Sequence, residues 1–185
     1  MSETHLALLR GVNVGGKNKL PMKALAEMFV AAGCANVRTF IQSGNVVFDA
    51  SPRVAATLGA LIPARIAEGF GYRTPVVLRT VEQVADVVAS NPFLASGAPE
   101  DALAVLFLAD LPEPDRVNLL DPDRSPPDSF VVRGREVYLN LANGFARTKL
   151  TNTYFDSKLA TVSTGRNWRT VTKLLAMMRG SATSP

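Results

Sequence analysis

Val37-Arg38-Thr39-Phe40-Ile41-Gln42-Ser43-Gly44-Asn45-Val46-Val47-Phe48 holds two apolar-rich runs, Val37 to Ile41 and Val46 to Phe48, around the polar stretch Gln42-Ser43-Gly44-Asn45. Short β-branched and aromatic runs split by amides and a glycine predict two strands joined by a hairpin turn. What flanks them decides the fold. Upstream, Leu6 to Leu9 reads as a buried strand and Pro21 to Ala32 as a helix, with Pro21 at its first position and Gly33 as its stop. Met22, Leu25, Met28, Phe29 and Ala32 form one face of that helix. Downstream, Val54, Leu58, Leu61, Ile62 and Ile66 mark a second helix, which Pro63 should kink or break, and Pro75 to Arg79 is a fourth strand. Thr80 and Gln83 make a capping-box pattern for a short helix of Val81, Val84, Val87 and Val88. The order βαββαβ plus a trailing helix is that of a split-βαβ, ferredoxin-like unit with an antiparallel sheet.

The second half repeats that order. Ala102 to Leu108 reads as a strand and Pro114 to Leu120 as a short helix; Phe130 to Val132 and Glu136 to Leu141 are strands around Arg133-Gly134-Arg135. Thr153 to Leu159, Ala160 to Ser163 and Trp168 to Met178 complete helix, strand and helix. The expected fold is therefore α+β, two tandem ferredoxin-like α/β-plait units. An N-terminal unit spans residues 1–90, a linker 91–101, a C-terminal unit 102–179 and a disordered tail 180–185. The match lies in element order, with no residue-level repeat to support it.

Composition narrows the chemistry. The 185 residues are 47% hydrophobic and 19% charged, with 13 Gly and 12 Pro, which fits a globular chain able to bury a core unaided. One cysteine and one histidine exclude a disulfide framework, a Cys/His zinc site and any histidine-dependent triad that does not use His5. No metal and no cofactor are expected. Charge is segmental: residues 1–80 carry net +5, residues 81–128 net −8 and residues 129–185 net +7. Two basic parts flanking an acidic one suit an anionic partner, and solvated helix faces give the same pattern without one. The apolar run Leu6 to Leu9 ends at Arg10 without a cleavage signal, and nothing approaches the roughly 18 apolar residues of a membrane span. A cytoplasmic protein with no membrane partner is expected.

Two loop clusters carry candidate site residues. In a ferredoxin-like sheet the first and third strands are adjacent and antiparallel, so Arg10 to Lys19 should meet Gln42 to Asn45. The meeting point gathers Arg10, Asn13, Lys17, Lys19, Gln42, Ser43 and Asn45 with glycine backbone, a donor set suited to phosphate or carboxylate oxygens. A glycine-rich connector with solvated lysines is the alternative. Gly11 to Lys17 satisfies G-x-x-x-x-G-K, but Pro21 delays the helix past Lys19 and Asn18 replaces the Ser or Thr that would hold Mg²⁺, which argues against a P-loop. Base stacking on the sheet lacks aromatics, since the first strand has none and the third only Phe48.

The loops after the third and fourth strands of the second unit should likewise be neighbours. They supply Lys149, Thr151, Asn152, Arg166, Asn167 and Trp168, with Lys173 further along the last helix. Asn167 is a good N-cap for that helix, and a helix N-terminus beside Arg and Lys attracts anions. Trp168 suits either stacking on a ring or sealing a core edge. Cys34, with no charged neighbour in sequence, reads as structural.

Ala7-Leu8-Leu9-Arg10-Gly11-Val12-Asn13-Val14-Gly15-Gly16-Lys17, Ile41-Gln42-Ser43-Gly44-Asn45-Val46, Thr148-Lys149-Leu150-Thr151-Asn152 and Gly165-Arg166-Asn167-Trp168-Arg169-Thr170-Val171-Thr172-Lys173-Leu174 together resemble the bacterial domain of unknown function family 1697. The likeness runs from about Thr4 to Met178 and implies a pair of ferredoxin-like units, with no established activity and no catalytic residue. The expected function is binding of a phosphate-bearing ligand, a nucleotide or single-stranded nucleic acid, in a basic cleft between the units. An enzyme acting on a small phosphorylated or carboxylated metabolite, with Lys17 or Lys149 as acid or electrostatic stabiliser, and an interaction domain with purely structural polar loops are the alternatives. Oligomeric state is open.

Overall fold

A computed structural model describes residues 2–180. The elements run β1 (Glu3–Leu9), α1 (Met22–Ala31), β2 (Ala35–Phe40), β3 (Asn45–Ala50), α2 (Pro52–Phe70), β4 (Val76–Thr80), α3 (Val81–Ala89) and α4 (Pro92–Ala95). They continue with β5 (Leu103–Leu108), α5 (Pro114–Val117), β6 (Ser129–Arg133), β7 (Glu136–Asn140), α6 (Asn152–Leu159), β8 (Ser163–Asn167) and α7 (Trp168–Met178). Two four-stranded antiparallel sheets result, ordered β2-β3-β1-β4 and β6-β7-β5-β8, so the architecture is α+β. The chain divides into two compact units, residues 2–85 with 173–180 and residues 86–172. That division falls inside α3 and inside α7, away from residues 91–101. Of the expected tail, everything after Gly180 lies outside the described residues.

In the first unit Ala7, Leu9, Val46 and Phe48 of the central strands pack against Leu25 and Phe29 of α1 and against Leu58, Ile62 and Ile66 of α2. Alternation in the strands and the four-residue spacing in α2 put these side chains on facing surfaces. Pro63 does not end α2, a correction to the expected break. It removes one backbone donor, but the helix runs on through the buried Leu58, Ile62 and Ile66, and their burial outweighs one hydrogen bond. The capping box forms reciprocally: the Thr80 N–H donates to Gln83 Oε1 (3.0 Å) and the Gln83 N–H to Thr80 Oγ1 (3.3 Å). Cys34 is buried, and desolvation pushes its thiol pKa up.

In the second unit Ala104, Leu106, Leu108, Val137 and Leu139 form one sheet face under Leu150, Tyr154, Phe155 and Leu159. A further correction falls on the last strand. It is Ser163–Asn167, not Ala160 to Ser163, so Thr164 to Asn167 are ladder residues rather than a loop. Ala160 takes a left-handed conformation that ends α6, and the strand begins only after that turn. Pro21 is likewise the N-cap of α1 rather than its first residue, and the α5 helix ends at Val117 instead of Leu120.

One device occurs in both units. Arg79 and Arg166 are each the penultimate residue of a fourth strand, lying opposite Leu6 and Val105 of the first. Each guanidinium donates to the carbonyl of the preceding residue, Leu78 at 2.8 Å and Gly165 at 2.7 Å. Both side chains are buried, at 1% and 8% exposure. A residue-level correspondence between the halves therefore exists in strand register, where linear comparison did not expose it.

Gly44 fixes the β2–β3 turn. Its φ is +75°, and a Cβ there would lie 2.7 Å from Leu9 Cβ and 2.8 Å from Val12 Cγ2. Gly15 has φ +57° with open space around it. Gly44→Ala is expected to cost roughly 2–4 kcal/mol of unfolding free energy, and Gly15→Ala about 1 kcal/mol. Urea denaturation of the two variants measures the difference, and equal losses would remove the steric account.

Candidate functional site

Leu8 lies opposite Asn45, and the Leu9 N–H donates to the Gly44 carbonyl at 2.8 Å, so the loop after β1 does meet the β2–β3 turn. Asn13 joins them: its Nδ2 donates to the carbonyls of Gln42 (2.8 Å) and Leu20 (2.9 Å), and its Oδ1 accepts from the Leu20 N–H. Asn45 is fully buried and gives its Nδ2 to the Phe40 carbonyl and to Ser43 Oγ. The carbonyl of Arg10 accepts from Thr74 Oγ1, and that of Asn18 from the Tyr72 hydroxyl at 2.9 Å. Two of the expected ligand amides, Asn13 and Asn45, are thus committed to holding the loop together. Lys17, Lys19 and Gln42 remain exposed, and Lys17 sits in a turn closed by its N–H on the Val14 carbonyl. The helix after Gly11 to Lys17 starts at Met22, and backbone with Pro21 as N-cap intervenes.

The second unit brings its cluster together around a pocket. β7 and β8 both run antiparallel to β5, so Asn140 and Asn167 end beside Leu103 and Ala104. The cavity there has about 340 Å³. Its floor is Ala104, Leu106, Leu139, Leu141 and Leu150, and its rim Phe145, Thr148, Thr151, Asn152, Gly165, Arg166 and Asn167. Of the expected residues, Thr151, Asn152, Arg166 and Asn167 line it. Lys149 is exposed between two lining residues, Thr148 and Leu150. Phe145 is 51% exposed and also lines a smaller adjoining pocket with Glu100, Asp101, Asn167 and Arg169.

Three expected residues are wholly or partly buried. Arg166 alternates away from Gly165 and Asn167 along β8, and its guanidinium donates to Thr164 Oγ1 (2.9 Å) and the Gly165 carbonyl. Burial lowers its pKa to about 10, so it stays charged at neutral pH. Trp168 is 1% exposed and belongs to the interior, leaving no face for a ring to stack on. Lys173 is half-buried in α7, in the part grouped with the first unit.

The loop from Leu141 to Leu150 is held from a segment that carries no motif in the sequence. Asp128 accepts from the Asn143 N–H (2.7 Å) and from Ser125 Oγ (2.9 Å). The Lys149 N–H donates to that same Ser125 Oγ at 3.0 Å, and Asn143 Nδ2 to the Pro126 carbonyl at 3.1 Å. Arg124 lies over the Tyr154 ring at 4.2 Å and donates to the Lys149 carbonyl. Burial alone would raise the Asp128 pKa, but bonds from Asn143, Thr148 and Ser125 together hold it below the ordinary carboxylate value. At the start of α6, Thr151 Oγ1 caps the Tyr154 N–H at 3.2 Å.

Among the described residues no helix is long and apolar enough to cross a membrane. The chain belongs to the family described as Protein of unknown function (DUF1697), whose family model matches residues 2–138. The match ends at Tyr138, before the loop that rims the pocket. Among solved structures, the conserved bacterial protein SP0830 from Streptococcus pneumoniae shares the fold with a TM-score of 0.73 at 20% identity, over 96% of this chain and 99% of that one. No curated protein matches the sequence.

Asp128 gives this loop a pH dependence. A carboxyl whose folded pKa is depressed contributes fully above its unfolded value of about 3.9, and the contribution is lost as pH falls through the folded value. The urea midpoint of the parent should therefore drop more steeply between about pH 5 and pH 3 than that of Asp128→Asn. Parallel profiles would take Asp128 out of the account.

Proposed function

We propose that this protein binds a phosphate-bearing ligand of nucleotide size in the pocket of the second unit, ring on the leucine floor beside Phe145 and phosphate at the start of α6. One observation carries the reading: a single pocket joins an apolar floor and a half-exposed aromatic to a helix N-terminus and a basic loop. A nucleotide has the same two halves. Floor and ring match by burial of apolar surface, and the backbone donors of the first α6 turn match a phosphate. Arg147 and Lys149, exposed in the loop before Thr151, add positive charge. The finer fold assignment, a tandem of ferredoxin-like units, belongs to the same proposal and is supported by the βαββαβ order and the 2-3-1-4 arrangement of strands in each sheet. So does a bacterial, cytoplasmic setting.

Calorimetric titration with AMP, GMP, UMP and CMP tests the proposal. Saturable binding of at least one is expected, weakened about tenfold by Phe145→Ala and by Lys149→Ala. Single-stranded oligonucleotides separate the two ligand classes. A steep fall of affinity with salt, growing with oligonucleotide length, identifies nucleic acid as the ligand, and a shallow one identifies the mononucleotide. If neither class binds, the proposal is wrong.

A further inference from the structure

The hydrogens of the pocket can be assigned from donor and acceptor logic alone. Asp156 Oδ1 accepts from both the backbone N–H (2.8 Å) and the hydroxyl (2.7 Å) of Ser163. A carboxylate only accepts and a serine hydroxyl has one proton, so toward Asn152, 2.8 Å away, Ser163 Oγ acts as an acceptor. The Asn152 amide must therefore turn its Nδ2 to Ser163, which leaves Oδ1 for the cavity. That oxygen stands 3.7 Å from where a Cβ on Gly165 would be, over a position with no side chain to cover it. Asn167 is fixed the opposite way. Its Oδ1 accepts the Thr170 N–H at 2.8 Å, so its Nδ2 is left at the rim of the same pocket.

Resting on the nucleotide reading above, we propose that the pocket recognises the hydrogen-bonding edge of the base, with Asn152 Oδ1 accepting from an N–H of that edge, ring or exocyclic, and Asn167 Nδ2 donating to the adjacent acceptor. The ligand class is a heterocycle with adjacent donor and acceptor, such as the amidine edge of adenine or the lactam edge of uracil. Asp156 is a positioning residue: it draws the Ser163 proton and thereby sets which end of the Asn152 amide faces the ligand.

Methylated bases test the edge directly. On the parent protein, N6,N6-dimethyl-AMP and N3-methyl-UMP should bind at least tenfold more weakly than AMP and UMP. Asn167→Asp keeps an oxygen to cap α7 while replacing the pocket donor with an acceptor. It should melt at or above the parent temperature yet bind the uncharged nucleosides about tenfold more weakly. Asp156→Ala, which frees the Ser163 hydroxyl to donate to Asn152 Oδ1, should compress the ratio between methylated and unmethylated ligand, a change that loss of fold alone would not produce. If the nucleotides bind but the methylated forms bind equally, edge recognition is overturned and the nucleotide reading stands. If no nucleotide binds, both fall.

Discussion

The ladder that seats β5 between β7 and β8 makes both flanking strands leave the sheet beside Leu103 and Ala104, and the second-unit pocket follows from that one constraint. All six β5 residues are buried and the strand is hydrogen-bonded on both sides, so a slip would break both ladders at once. With register set, Leu106 and Leu139 form the floor, Gly165 and Asn167 form a wall, and the chain leaving β7 must arch over them to reach α6. The braces from Ser125 and Asp128 then act on an arch whose two ends are already placed.

How much of this was legible in the sequence depended on the range of the interactions involved. The β1 and β3 strands, the capping box at Thr80 and the meeting of the first two loops followed from periodicity and local turn chemistry, which act over a few residues. Ser163 to Asn167 does not read as a strand because its residues are polar or glycine. Its place comes from the β5 ladder and from oxygens that satisfy the buried Arg166. Ser125 and Asp128 carry no local signal, because their partners Lys149 and Asn143 lie 24 and 15 residues away, across a strand pair no linear pattern connects. Asn13 holds the backbone carbonyls of Gln42 and Leu20, partners that a reading of side chains does not reveal.

The matched arginines show how a buried charge is accommodated twice by one solution. Arg79 and Arg166 each occupy a buried position of their strand, and each turns a planar guanidinium back onto main-chain oxygen. A lysine there would offer a compact, strongly hydrated ammonium with no fork to spread across several acceptors. Immediately after each arginine comes a helix whose first turn is capped by the next residue, Thr80 in one unit and Asn167 in the other. Strand end, buried arginine and helix cap thus form one repeated unit of construction, and in the second copy the cap also borders the pocket.

Gly165 separates what the protein can hold from how well it folds. Its backbone is an ordinary strand, so no left-handed conformation demands glycine there, and the nearest obstacle to a side chain is the terminal Cδ2 of Leu106 at 2.9 Å, the movable end of a flexible group. A methyl at this position would take room from the cavity while the leucine turned aside. In evolutionary terms the volume of this cavity is set in part at one codon that carries little of the burden of folding, so it can change without compensating stability being acquired first.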